Sequence, residues 1–210
     1  MFRELYYAEP SDDQGNPFGI EAIEKCLGPV SAEPVAVWGW DLAKYQDWTV
    51  GVGLDASERV SVFERFQRPW EETVSAIRGL VGGTPALIDS TGVGDPIVER
   101  LQRTLPNVQG FLFSPTSNQR LMEGLAVAIQ HEEISYPDGP IAQELRDFEF
   151  AYTRTGVRYS APEGAHDDCV CGLALAVQMR SKAVTMSWVP VEEEKQTVPE
   201  EPVFYEIGGM

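Results

Sequence analysis

The sequence predicts a single α/β domain with a mixed central sheet and helices on both faces. Three strand-like segments follow one another early in the chain, which indicates an antiparallel three-strand meander. Helical and strand patterns then alternate, as is typical of strands joined by helices. The chain has 210 residues, 43% of them hydrophobic, which is enough for one large core.

The meander is predicted from the apolar segments Val35–Leu42, Trp48–Leu54 and Val60–Phe66, which short polar or glycine-containing links join. A helix is predicted over Pro69–Leu80, because proline stands at its start and two glycines follow its end. A last helix is predicted over His166–Lys182, where apolar residues recur at helical spacing. Between them we expect the strands Ala86–Asp89 and Val108–Phe113, the helices Pro96–Leu105, Ser117–Gln130 and Ile141–Phe150, and a hairpin of Phe150–Thr153 with Val157–Tyr159.

Both ends of the chain differ in composition from the middle. Residues 1–30 are rich in turn-forming residues, with a short helical segment near Ile20–Cys26, and are expected to be a linker that leads into the domain. Residues 31–182 form the predicted domain. Residues 183–210 carry six acids and one base and are expected to be an acidic, mobile tail.

The bulk composition restricts the classes of function. No apolar run reaches the length of a membrane span and no signal pattern opens the chain, so a soluble, intracellular protein with no membrane partner is expected. Three cysteines are too few for a disulfide framework. The net charge is −17 and no dense Lys/Arg stripe occurs, which predicts weak and salt-dependent binding to nucleic acid by this chain alone.

Asp41 stands at the end of an apolar strand pattern, where an acid is unusual. Strand alternation places it on the same face as Val35, Val37 and Gly39. Burial of an unpaired carboxylate is costly, so a functional role is one interpretation. The alternative is a structural one, in which Asp41 ends the strand and bonds to the turn at Lys44–Asp47.

Asp89 repeats this pattern at the end of the segment Ala86–Asp89, where binding sites form in open α/β sheets. Its alternative is a role as a helix N-cap or in an Asx-turn. Asp167 and Asp168 begin the last helix, and two acids there are often only caps that complement the helix dipole.

These aspartates lie on elements that can converge at one edge of the sheet. Carboxylates clustered in a partly buried site repel one another by several kcal/mol unless a positive charge lies between them. Hard divalent cations with oxygen ligands fit such a site, and Mg²⁺ suits one that binds phosphate. The sequence therefore predicts a metal site made by Asp41, Asp89, Asp167 and Asp168, holding two ions of the kind that cleave phosphodiesters.

Three motifs, taken in order, resemble the nuclease domain of tailed-bacteriophage terminase large subunits. They are Gly39–Lys44 with Asp47–Val50, Leu87–Asp95, and His166–Ala176. Three segments between these motifs also fit the resemblance: Ser117–Arg120, Ile134–Pro137 and Glu144–Phe148. The resemblance covers roughly residues 1–182, and the ordered set is more specific than any one motif.

The resemblance implies an RNase H-like fold and a Mg²⁺- or Mn²⁺-dependent endonuclease that cuts concatemeric double-stranded viral DNA during genome packaging. Asp41 matches the first-strand acid, Asp89 the second, and Asp167 or Asp168 the acid of the last helix. Related enzymes often have a further acid where this chain has Cys171. The partners implied are an ATPase domain ahead of this one, the portal and the small terminase subunit, and the implied location is the host cytoplasm.

Several basic residues stand near the motifs. We expect Lys44, Arg120, Arg154 and Arg158 to contact the DNA backbone, although ordinary solvated surface charge explains each of them equally well. His166 is either a neighbour that orients a metal ligand or a capping or surface residue. Two other functions stay open: a nuclease for branched DNA or RNA–DNA hybrids, and a non-catalytic module that docks to a packaging or portal partner.

Overall fold

A computed structural model describes residues 15–42, 48–92, 94–153, 156–160, 162 and 166–187 of the chain. Within these residues, helices and strands alternate as the sequence predicts. The elements in chain order are α1 (Ile20–Lys25), β1 (Val37–Asp41), β2 (Thr49–Leu54), β3 (Val60–Phe66), α2 (Trp70–Val81), β4 (Ala86–Asp89), α3 (Gly94–Gln102), β5 (Val108–Phe111), α4 (Pro115–Gln130), α5 (Pro140–Asp147), β6 (Glu149–Thr153), β7 (Gly156–Ser160) and α6 (Asp168–Ser187).

The central sheet has five strands in the order β3-β2-β1-β4-β5. The strands β1, β2 and β3 pair antiparallel, whereas β1 pairs with β4, and β4 with β5, in parallel. The strands β6 and β7 form a separate antiparallel hairpin. The predicted mixed sheet with its three-strand meander is therefore confirmed.

Helices cover both faces of the sheet. Successive side chains of β1 point to opposite faces, so the strand contributes to a core on each side. Trp38 and Trp40 pack in a core with α2 and α3, and their rings stack with centroids 5.3 Å apart. Val37 packs in the other core, which includes buried side chains of α4, α5 and α6. The strand alternation thus directs Asp41 to the α6 side of the sheet, with Val37 and Gly39.

The helix α6 lies across the middle of the sheet and contacts β1, β2 and β4, with α4 and α5 on its other side. Its residues from Cys169 to Val177 are almost all buried, as expected for a helix enclosed on all sides. It approaches β1 closely at Gly39, where a Cβ atom would overlap the backbone of Gly172 and Ala176. Gly39 is therefore the position that lets the last helix rest on the central strand.

Several predicted bounds differ from those of the structure, and three of the differences have a clear local cause. The strand β1 begins at Val37, so the alternation does not extend to Val35, which packs with the tryptophan side of the sheet. The helix α5 ends at Asp147, because Phe148 is extended (φ −72°, ψ 136°), and Phe150 belongs to β6. The helix α4 begins at Pro115, ahead of the predicted start, with Ser114 as its N-cap.

The described part of the predicted linker packs on the domain. Phe18, Ile23 and Cys26 are buried in the core that contains α6, and Tyr136 donates a hydrogen bond to the carbonyl of Ile23. At the other end, α6 continues to Ser187, while residues 188–210 of the predicted tail lie outside the described residues. The division at residues 30 and 182 stays a prediction. None of the described helices is long and apolar enough to span a membrane.

Candidate metal centre

A cavity of about 250 Å³ opens at the edge of the sheet where β1 and β4 end. All four predicted aspartates line it, although they come from three separate elements. Apolar side chains form the rest of its wall together with a few small polar ones. The lining residues are Asp41, Leu42, Asp89, Thr91, Phe113, Asn118, Met122, Phe148, Asp167, Asp168 and Cys171.

Asp41 is the last residue of β1 and is partly buried. Burial raises the pKa of its carboxyl group well above the ordinary range, and the charges of Asp89 and Asp168 raise it further. Protonation is favoured because it removes a buried charge and its repulsion with the neighbouring carboxylates. A cation in the cavity would relieve the same repulsion without a proton.

Asp89 is the last residue of β4 and is only 5% exposed. Its Oδ1 accepts a 2.7 Å hydrogen bond from the amide of Thr91, and the Thr91 hydroxyl accepts one of 2.9 Å from the amide of Phe113. Gly94 packs against the Asp89 carbonyl, where a Cβ atom would lie 3.1 Å from the carbonyl carbon. The loop role that the sequence left open for Asp89 is therefore present, and it fixes a carboxylate that also lines the cavity.

Asp168 is the first residue of α6 and is 7% exposed. Its Oδ2 accepts a 3.4 Å hydrogen bond from the amide of Trp48 and lies 3.5 Å from Nδ1 of His166. Asp167 stands just before the helix, and its carbonyl accepts a 2.9 Å bond from the amide of Cys171. His166 is exposed, and its ring lies beside a cavity carboxylate, so both the orienting role and the surface role stay predictions.

Cys171 lines the cavity at the position where the resemblance implies a further acid in related enzymes. Burial raises the pKa of its thiol well above the ordinary range, and the charge of Asp41 raises it further. The thiol is therefore held in its neutral form beside the four carboxyl groups.

Glu144 is a buried acid beside the cavity, and it is not among the predicted site residues. It lies on α5 and is 8% exposed. Its Oε2 accepts a 2.7 Å hydrogen bond from the amide of Cys169, and its Oε1 lies 3.0 Å from the Cys169 sulfur and 3.6 Å from Nη2 of Arg65. The signal for it was present, because Glu144 falls on the apolar face of α5 with Ile141, Leu145 and Phe148 at helical spacing.

The basic residues predicted to contact DNA are only partly placed. Arg120 lies exposed on α4. Lys44 and Arg154 lie outside the described residues, as does the side chain of Arg158, whose backbone belongs to β7. The contacts of all four with DNA remain predictions.

The donor set fits a hard divalent cation better than a soft or organic group. Carboxylate oxygens dominate the cavity, and such oxygens are the ligands that Mg²⁺ and Mn²⁺ prefer. Among the described side chains, no three acids, histidines or cysteines are already drawn to metal-ligand spacing.

A five-stranded mixed sheet of this order, with acids at the ends of the neighbouring strands β1 and β4 and at the start of α6, defines the RNase H-like class of fold. Comparison with solved structures narrows the likeness further, because the similar structures are nuclease domains of phage large terminases. The resemblance that the three motifs predicted is thereby confirmed. No protein-family profile matches the chain, and no curated protein does.

Three of the similar structures show the range of the likeness. The large terminase nuclease of thermophilic phage G20c with bound magnesium is 25% identical, has a TM-score of 0.70, and matches over 80% of this chain and 98% of that one. The nuclease domain of the Thermus phage P74-26 large terminase is 22% identical over 75% and 92%, with a TM-score of 0.62. The bacteriophage HK97 large terminase is 13% identical, and the match spans 77% of this chain but 43% of that one, with a TM-score of 0.55.

Proposed function

We propose that this domain is a metal-dependent endonuclease that cuts concatemeric double-stranded viral DNA, with little sequence preference, during genome packaging. The observation that carries the proposal is that Asp41, Asp89, Asp167 and Asp168, from three separate elements, line one cavity. A purely structural role for each acid does not account for their convergence, since like charges at one place oppose folding.

In this proposal Asp41, Asp89 and Asp168 hold two Mg²⁺ or Mn²⁺ ions, and Asp167 is either a further ligand or the cap of α6. Such ions, when bound, promote the attack of water on phosphorus and stabilise the leaving oxygen. The protein fixes the ligands: the amide of Thr91 orients Asp89, and the amide of Trp48 orients Asp168.

The similar structures support this proposal. The G20c nuclease was solved with magnesium, with cobalt and with zinc, and the SPP1 nuclease domain with manganese. By extension we propose that this domain acts with a terminase ATPase domain, the portal and the small terminase subunit, in the host cytoplasm. The HK97 terminase, of which the match spans less than half, is an example of a longer chain that contains such a domain.

The charge of the chain shapes how it would meet DNA. A net charge of −17 opposes binding to a polyanion, and bound cations offset only a few of these charges. We therefore propose that other parts of the packaging machine hold the DNA while this domain cuts it, with Arg120 and the predicted contacts Lys44, Arg154 and Arg158 touching the backbone.

Plasmid cleavage with and without Mn²⁺ tests the proposal. We expect the chain to nick or linearise plasmid with Mn²⁺ or Mg²⁺, and Asp41→Asn or Asp89→Asn to abolish cutting. Asp95→Asn is the matched control, because Asp95 is an exposed acid close in sequence to Asp89 that does not line the cavity. Metal-dependent cutting that survives both cavity substitutions would sink the assignment. Competition with a four-way junction and with an RNA–DNA hybrid identifies the preferred substrate.

A further inference from the structure

The buried acid Glu144 and the partly exposed base Arg65 form a pair that lies beside the cavity but does not line it. We propose that Glu144, held by Arg65, is a positioning residue that fixes the first turn of α6 and thereby the orientation of Asp168 toward metal. The inference rests on the proposed function and adds to it two residues from elements that supply no cavity aspartate.

Glu144 contacts the backbone at the start of α6. The first amides of a helix have no partner within the helix and need an acceptor from elsewhere. Here the carboxylate of Glu144, on α5, accepts a 2.7 Å hydrogen bond from the amide of Cys169. Cys169 directly follows Asp168, so this bond holds the backbone on which the Asp168 side chain stands. A charged acceptor at this place is also favoured by the helix dipole.

Arg65 contacts both Glu144 and the ring of Trp48. Arg65 lies on β3, with Nη2 3.6 Å from Glu144 Oε1 and its guanidinium 4.6 Å from the centre of the Trp48 ring. The amide of Trp48 in turn donates to Oδ2 of Asp168. The backbone and the carboxylate of the first α6 residue are therefore held from two sides by one connected group of residues.

The carboxylate of Glu144 is already engaged, which separates it from the metal ligands. One oxygen takes the Cys169 amide, and the other faces the Cys169 sulfur and Arg65. A fifth acid beside four aspartates costs free energy unless it is paired, and Arg65 supplies the opposite charge. Groups that orient metal ligands in this way commonly change metal affinity when they are replaced.

The test measures Mn²⁺ binding by titration calorimetry, without DNA, on the full chain. Glu144→Gln keeps the size of the side chain and an oxygen acceptor but loses the charge. We expect it to weaken Mn²⁺ binding about tenfold with the number of bound ions unchanged. Arg65→Gln is expected to have a similar effect, and the double variant to add little, because both changes break the same pair.

A second pair, of a buried acid with a more exposed arginine, provides the matched control. Asp55 is 1% exposed and lies 2.9 Å from Nη2 of Arg59, and neither residue lines the cavity. Asp55→Asn is expected to lower the melting temperature but to leave Mn²⁺ affinity unchanged. Excess Mn²⁺ should restore plasmid cutting by Glu144→Gln and should not restore cutting by Asp41→Asn.

The possible failures are distinguishable. A folded Glu144→Gln chain that binds Mn²⁺ as tightly as the wild type would overturn the positioning role and leave the nuclease proposal standing. Loss of one bound ion in Glu144→Gln, with no effect of Arg65→Gln, would instead make Glu144 a ligand. A wild-type chain that neither binds Mn²⁺ nor cuts DNA overturns both proposals.

Discussion

Replacement of Gly39 by alanine should destabilise the domain and disturb the metal site at the same time. Gly39 is in the middle of β1, and α6 rests directly on it. An added Cβ would overlap backbone atoms of Gly172 and Ala176 and lie 2.8 Å from the carbonyl carbon of Leu175. Backbone atoms of a packed helix cannot rotate away, so the helix itself has to move.

The size of the loss in stability follows from the kind of atoms that overlap. Overpacking of a core costs about 1–3 kcal/mol, and rigid backbone neighbours place Gly39→Ala near the upper end, about 3 kcal/mol. For a chain of this size that corresponds to a fall in melting temperature of about 6–12 °C. Because Asp168 begins the displaced helix and Asp41 ends the strand beneath it, Mn²⁺ binding should weaken as well.

Thermal unfolding and Mn²⁺ titration, on the same preparations, measure both effects. Gly124→Ala is the matched control, because Gly124 lies within α4 and an added Cβ meets nothing within 4 Å. Alanine in a helix interior should stabilise the domain there by about 0.5–1 kcal/mol. A Gly39→Ala chain that melts within about 2 °C of the wild type, a shift that corresponds to less than about 1 kcal/mol, would refute the direct packing of α6 on β1.

Two further predictions concern pH. Burial favours protonation of Asp55, but hydrogen bonds from Ser31, Ser57 and Arg59 outweigh it and lower its pKa from 3.8 to about 2. A depressed pKa stabilises the fold above pH 4, so the free energy of unfolding should fall by about 2 kcal/mol as pH falls from 4 to 2. The measurement is the difference in urea unfolding between the wild type and Asp55→Asn. If the two respond alike to acid, the bonds to Asp55 are not formed. The pKa of Asp41 is raised by burial and then by Asp89, so a proton competes with Mn²⁺ for this carboxylate and the affinity for Mn²⁺ should fall as pH falls. At a pH where the proton is bound, the heat of Mn²⁺ binding should depend on the buffer that takes up the proton. Affinity that does not change with pH would contradict this.

The elements with simple patterns were predictable from the sequence alone. The strands β3 and β4 have the predicted bounds, because alternation in one and a short apolar run ending in Asp89 in the other leave little choice of register. Strand alternation also placed Asp41 on the face that meets α6. It failed at Val35, since the pairing of β1 with β2 begins at Val37 and the residues before it turn toward the other face.

What the sequence could not supply is contact between distant segments. Glu144 and Arg65 are far apart in the sequence; the place of Glu144 on the apolar face of α5 indicates burial, but no pattern indicates what it contacts. Only the packing of α5 against α6 brings the carboxylate to the amide of Cys169. Likewise, helical periodicity continued through Phe148, although that residue is extended and buried, because periodicity does not report where a chain must turn to pair β6 with β7.

The order in which the cavity acids occur along the chain has a consequence for synthesis. Asp41 and Asp89 are made early, but the third side of the cavity belongs to α6, the last of the described elements. A ribosome must therefore complete nearly the whole domain before the carboxylates can meet, since a nascent chain that stops after β7 lacks both Asp167 and Asp168. A prematurely ended translation product would carry the sheet but not the complete set of cavity carboxylates, so under the proposed function it could not cut nucleic acid near the ribosome.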